Sequence, residues 1–146
     1  MSQPPEFLPT LQALAQCYQA FETFSATHIR SLGLTPPQFD IIATLGNTAG
    51  MTATELGDKT LITKGTLTGV VDRLLDRGWV ERVAHESDRR SQIIRLTPAG
   101  ETLFARVFPA HLAHMRTGFG GVSAADHARW QTALRELEQI FRKDPA

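Results

Sequence analysis

Apolar residues recur at helical spacing along most of this chain. Leu8, Leu11, Leu14, Ala15, Tyr18, Phe21 and Phe24 or Ser25 recur at spacings of three and four. That period predicts a helix over residues 6–30, ending near Gly33. Its many aromatics point to packing against a second subunit. In "LTPPQFDIIATLG", Thr35 is placed as an N-cap, Pro36 suits the first helical position and Gln38 sits three after the cap. Phe39, Ile42 and Leu45 give this second helix its apolar face, and Gly46 to Gly50 stop it. Thr52 and Glu55 have capping-box spacing and open a short third helix anchored by Leu56. A turn at Thr60 to Ile62 follows, and Thr63 can cap a fourth helix running to about Arg77. Leu67, Val70, Val71, Leu74 and Leu75 face inward, and Gly78 fits the left-handed position that ends the helix.

The period then changes. "WVERVA" and "SQIIRLT" are β-branched runs with polar residues interleaved, which predicts a two-stranded hairpin with a long charged tip, His85 to Arg90. Thr97-Pro98 caps a fifth helix over residues 98–117, carrying Leu103, Phe104, Val107, Phe108, Leu112 and Met115. Pro109 inside it is expected to kink or split it. After the break "GFGGVS", Ser123 with Asp126 opens a last helix striped by Trp130, Leu134, Leu137, Ile140 and Phe141. The fold class is mainly α with a small β-hairpin wing. Two helices joined by a short turn and followed at once by a hairpin form a winged helix-turn-helix.

Composition narrows the class. The 146 residues are 42% hydrophobic and 21% charged, which suits one globular domain over 1–146. No apolar run is long enough to span a membrane. The start, MSQPPEFLPT, has neither a basic segment nor an apolar core, so export is not expected. The one cysteine, Cys17, cannot form an internal disulfide, and a cytoplasmic location fits both observations. Basic and acidic residues balance at 15 each. Between Lys59 and Arg95, however, eight Lys or Arg face five Asp or Glu, so the middle is mildly basic. Local distribution matters more than the sum for nucleic-acid binding.

The candidate chemistry lies in that middle. Lys64, Gly65, Thr66 and Thr68 occupy the exposed side of the fourth helix's first turns, next to Thr63. Hydroxyls and a lysine at a helix start suit phosphates and base edges in a major groove. Glycines at 65 and 69 lower bulk there. Each position read singly is an ordinary polar surface residue; the hairpin that follows is what makes the group informative. At the hairpin tip, arginines on a narrow ribbon suit a minor groove. Asp88 stands two before Arg90 and can orient its guanidinium, which leaves Arg89 for a phosphate. The plain alternative is a solvated loop in which Asp88 and Arg90 pair only with each other.

Together these segments resemble the MarR family of bacterial transcription regulators. The likeness covers about residues 6–142. "LTPPQFDIIATL" is similar to that family's second helix, and "TATELGDKTLITKGTLTGVVDRLLDRGWVERV" to its helix-turn-helix and first wing strand. "DRRSQIIRLTPAG" is similar to its signature, with Asp88, Arg90, Leu96, Thr97 and Gly100 at the signature positions. The resemblance implies a homodimer on double-stranded DNA at a pseudo-palindromic operator. It implies a DNA-binding lobe over 35–97 and dimerisation helices over 6–34 and 98–142. Thr63, Lys64, Thr66 and Thr68 become major-groove candidates, Arg90 with Asp88 and Arg89 the wing group, and Arg73 a phosphate contact or a brace. One departure concerns Gly69, where the family often has arginine, so an operator preference is not carried over.

The resemblance also implies a repressor released by a small aromatic or phenolic ligand. Phe24, Thr27, His28, Arg30 and Phe39 are the candidates for holding one. The alternative signal is organic peroxide, sensed through Cys17, although its neighbours Gln16, Tyr18 and Gln19 offer no cation to activate a thiol. His111 and His114 share a helical face but lack a partnering acid or cysteine nearby in sequence, so neither a metal nor a cofactor is expected. No nucleophile–base constellation or phosphate loop suggests an enzyme. A winged-helix module that binds protein instead of DNA is the remaining alternative.

Overall fold

A computed structural model describes residues 2–85, 87 and 91–142. Two compact units divide it, Met1–Ala113 and His114–Ala146. The elements run α1 (Leu8–Ser31), α2 (Pro36–Leu45), β1 (Met51–Thr52), α3 (Ala53–Lys59), α4 (Lys64–Asp76), β2 (Val80–Ala84), β3 (Gln92–Leu96), α5 (Pro98–Phe119) and α6 (Ala124–Phe141).

The helix ends follow from local chemistry. Thr35 and Gln38 form the reciprocal capping box: the Thr35 hydroxyl accepts from Gln38 N–H, and the Gln38 side chain accepts from Thr35 N–H. At α3 only half of the box forms. Thr52 accepts from Glu55 N–H at 3.2 Å, but the Glu55 carboxylate accepts from the Thr52 hydroxyl instead of its backbone. Thr63 stands at the N-cap of α4 without a side-chain cap bond, because its hydroxyl donates to Thr66 Oγ1 at 3.0 Å. Ser123 caps α6 through Asp126 N–H at 3.1 Å. At the end of α4, Gly78 has φ +74°, and Gly78 N–H and Trp79 N–H close back onto the Leu75 and Leu74 carbonyls. This is the paired-bond stop that only glycine adopts without strain.

The sheet order is β1-β3-β2, antiparallel throughout. Val80 pairs with Leu96 and Ala84 with Gln92, so the hairpin register is continuous to its tip. The sequence pattern missed β1: Met51 and Thr52 pair with Ile94 and Ile93. A two-residue strand carries no period to detect. Below the sheet lies one core. Ile41, Ile42 and Leu45 of α2, Leu56 of α3, Val71 and Leu74 of α4, Val80, Ile94 and Val107 are all buried in it.

The Leu-Thr-x-x-Gly segment is a packing device. A Cβ on Gly100 would lie 2.0 Å from the Trp79 carbonyl oxygen, so only glycine lets α5 begin there. Thr97 N–H donates to that same oxygen, and the Thr97 hydroxyl donates to Gly78 O at 2.6 Å. The wing's return strand is thereby locked to the end of α4.

One expectation for α5 needs correction. Pro109 does not split the helix, which runs continuously from Pro98 to Phe119. A proline inside a helix costs about 3 kcal/mol; burial of Leu103, Phe104 and Val107 just before it works against that loss. Further along the helix His111 is buried and Leu112 exposed. In the second unit, α6 buries none of its residues. No helix among the described residues is long and apolar enough to cross a membrane.

Candidate nucleic-acid interface

The two faces of α4 have opposite characters. Leu67, Val70, Val71 and Leu74 are buried and fix the helix to the core. Thr63, Lys64, Thr66, Thr68 and Arg73 are all exposed. A Cβ at Gly65 or Gly69 would meet nothing within 4 Å, so the chain's own packing does not require glycine at either position. Their small size leaves the solvent face of the helix low and open to a broad partner.

Between the start of α3, α4 and the wing lies a hollow of about 380 Å³. Thr52, Thr54, Thr68, Arg82 and Gln92 give it polar walls, and Leu67, Val71 and Ile94 its floor. Arg82 reaches Asp72 on α4 at 3.3 Å, and Arg95 reaches Glu81 across the hairpin at 2.7 Å. Both pairs are exposed and contribute little to stability, at most about 1 kcal/mol each. Their effect is to set which cations remain to meet an outside anion. Sequence reading missed Arg82, Thr54 and Gln92 as neighbours of Thr68. The available signal was the alternation of β2, which puts Arg82 on the same face as Val80, two residues further toward the tip and so beside α4.

At the hairpin tip, His85 N–H donates to Ser91 O, which extends the ladder by one step. Ser87 N–H and its hydroxyl both meet His85 Nδ1, at 3.1 and 2.9 Å. The wing candidates Asp88, Arg89 and Arg90 lie outside the described residues.

The ligand candidates divide. His28 of α1 and Phe39 of α2 meet at His111 of α5. The His28 and His111 Nδ1 atoms are 3.0 Å apart, so one ring donates to the other. Phe39 stands edge-on to the His111 ring at 4.7 Å, and Ser25 Oγ lies 3.2 Å from His111 Nε2. Thr27 and Arg30 instead line a shallow hollow with Gln19, Glu22, Thr23 and Ala26, on a separate face of α1. Phe24 is partly exposed on α1. His111 was not among the ligand candidates; an apolar-face position otherwise held by leucines or phenylalanines gave no sign that a buried histidine would gather the others. Cys17 is an exposed free thiol. No group of three or more metal-ligating side chains occurs among the described residues.

Comparison with known proteins reaches the same lobe. Residues 32–91 match the sequence profile of the MarR family. The HTH-type transcriptional regulator MhqR of Bacillus subtilis is 30% identical over 102 residues, covering 70% of each chain. The chain belongs to the MarR family of transcription regulators. Its fold is that of MarR-family crystal structures. The DNA complex of a MarR family transcriptional regulator from Streptomyces coelicolor superposes with a TM-score of 0.84 at 21% identity, over all of this chain and 94% of the other. Bordetella bronchiseptica BpsR, whose DNA binding is regulated by 6-hydroxynicotinic acid, gives 0.81 at 23% identity, over 98% of this chain and 100% of the other. For this MarR-family chain the relatives are transcription regulators and not enzymes.

Proposed function

We propose that this MarR-family regulator binds double-stranded operator DNA through the exposed face of α4 and the wing. The observation that carries the reading is the division of α4. Four buried apolar residues hold the helix, while Thr63, Lys64, Thr66 and Thr68 are exposed to base edges and phosphates. The wing follows directly, with Arg90, oriented by Asp88, assigned to the minor groove and Arg89 to a phosphate. Arg73 is the further phosphate contact. The DNA complex of the Streptomyces coelicolor relative supports this mode.

The functional unit is a homodimer in which a second copy covers the apolar faces of α1 and α6. Two-fold symmetry then asks for a pseudo-palindromic site with half-site centres about 10 bp apart. The protein acts in the cytoplasm, as a repressor and not as an enzyme. Its release comes from a small aromatic acid recognised near His28, Phe39 and His111. That cluster offers ring nitrogens beside aromatic edges, and BpsR provides the precedent of a regulator answering to a small aromatic acid.

Capture of sheared genomic DNA by the purified protein tests the reading. Enrichment of a few fragments sharing a pseudo-palindrome is the expected result. Capture without sequence preference at moderate salt would instead favour the protein-binding alternative.

A further inference from the structure

The turn between α3 and α4 is held from a third element. Asp40 of α2 accepts a hydrogen bond from the Leu61 N–H through Oδ2 at 2.9 Å, across 21 residues of sequence. Leu61 is 85% exposed, so its side chain gives the turn no apolar anchor. The turn has other holds behind it: Thr60 N–H and the Thr60 hydroxyl both return to the Leu56 carbonyl in α3, and Ile62 packs partly on the core. Asp40 supplies the polar tie from α2 to the residue two before the N-cap of α4. A tie at that point controls where the first turn of α4 starts, and Thr63, Lys64 and Thr66 lie in that turn.

The carboxylate is kept in a place that does not favour it. Asp40 is half-buried, and desolvation pushes its pKa above the usual value despite hydrogen bonds from Leu61 and Thr44 that act the other way. A raised carboxyl pKa means the folded state binds the proton more tightly than the unfolded chain. The contribution to stability is therefore present at low pH and lost as pH rises through the folded value. At neutral pH the ionised carboxylate therefore carries a desolvation cost, which its hydrogen bonds from Leu61 and Thr44 partly offset.

We infer that Asp40 is a positioning residue for DNA recognition, fixing the helix-turn-helix turn so that the first turn of α4 meets the groove in one register. The inference rests on the reading of α4 as the DNA-contacting helix.

Two variants test it: Asp40→Ala, which removes the acceptor, and Asp40→Asn, which keeps an amide oxygen and discards the charge. The probe is a duplex that the wild-type dimer selects from sheared genomic DNA. Asp40→Ala is expected to weaken binding about tenfold, equivalent to about 1.4 kcal/mol. Asp40→Asn is expected to stay within about threefold of wild type, because its oxygen still accepts the Leu61 N–H. Hydrogen exchange at the Leu61 amide speeds up in Asp40→Ala and not in Asp40→Asn, while neither variant melts lower than wild type at neutral pH. Wild-type affinity in Asp40→Ala overturns the inference. So does an equal loss in both variants accompanied by lower melting temperatures, which is the signature of a general folding defect. If the wild type selects no duplex, the DNA-binding reading fails by itself, and Leu61 exchange decides: unchanged exchange in Asp40→Ala removes the tie as well.

Discussion

Helices α4 and α6 are both amphipathic, yet their apolar stripes meet opposite fates. In α4, Leu67, Val70, Val71 and Leu74 are all buried within the chain. In α6, Trp130, Leu134, Ile140 and Phe141 remain 41%, 56%, 58% and 60% exposed. Helix α1 resembles α6, with Leu8, Leu11, Tyr18 and Phe21 exposed along it. The lobe that carries α4 satisfies itself, so its solvent face is free to be polar and to evolve toward a ligand. An apolar face left bare calls for another surface. The same physical rule that supports the proposed reading head on α4 supports the proposed second copy on α1 and α6.

Four substitutions separate the two roles, taken from the largest expected effect. Leu74→Ala cuts a cavity into the lobe and should lower stability by about 2–5 kcal/mol, read by chemical denaturation. The dimer, read by light scattering, should persist wherever the lobe remains folded. Leu134→Arg should act the other way. A charge buried unpaired in the proposed dimer face costs about 3 kcal/mol or more, so the protein should shift toward monomer at micromolar concentration. A dimer unaffected by Leu134→Arg would place the second copy elsewhere. Arg90→Ala should weaken duplex binding by about 1–3 kcal/mol with melting temperature and oligomeric state unchanged. Gly69→Ala is the mildest. A Cβ there meets nothing within 4 Å, and the gain in helix propensity is at most about 1 kcal/mol. Higher melting temperature with weaker DNA binding would show that the open surface at Gly69 serves the groove.

Much of this architecture was legible because it is written locally. The Thr35–Gln38 box, the Ser123 cap and the Gly78 stop each lie within a few residues of sequence, and each formed where the pattern placed it. The hairpin strands were legible from their alternation, and their ends agree with the register observed. What escaped depends on distant partners. Strand β1 exists only because β3 offers a free edge. Arg82 becomes a neighbour of Thr68 only once the wing folds beside α4. His111 looked like one of two histidines on a helical face, and its meeting with His28 and Phe39 needs three helices. Asp40 gave no local sign at all, since its partner stands 21 residues away. For the same reason the candidate ligand group divided when the helices were seen in place, His28 with Phe39 on one side and Thr27 with Arg30 on another.

The central claim is that the open face of α4 meets the DNA backbone and bases. Its most direct test is the salt dependence of binding to one selected duplex, measured for wild type and for Lys64→Ala. Removing a lysine that contacts phosphate should weaken binding at every sequence tested and reduce the slope of log affinity against log salt by about one. An unchanged slope and unchanged affinity in a folded, dimeric Lys64→Ala protein would contradict the assignment of this face to DNA.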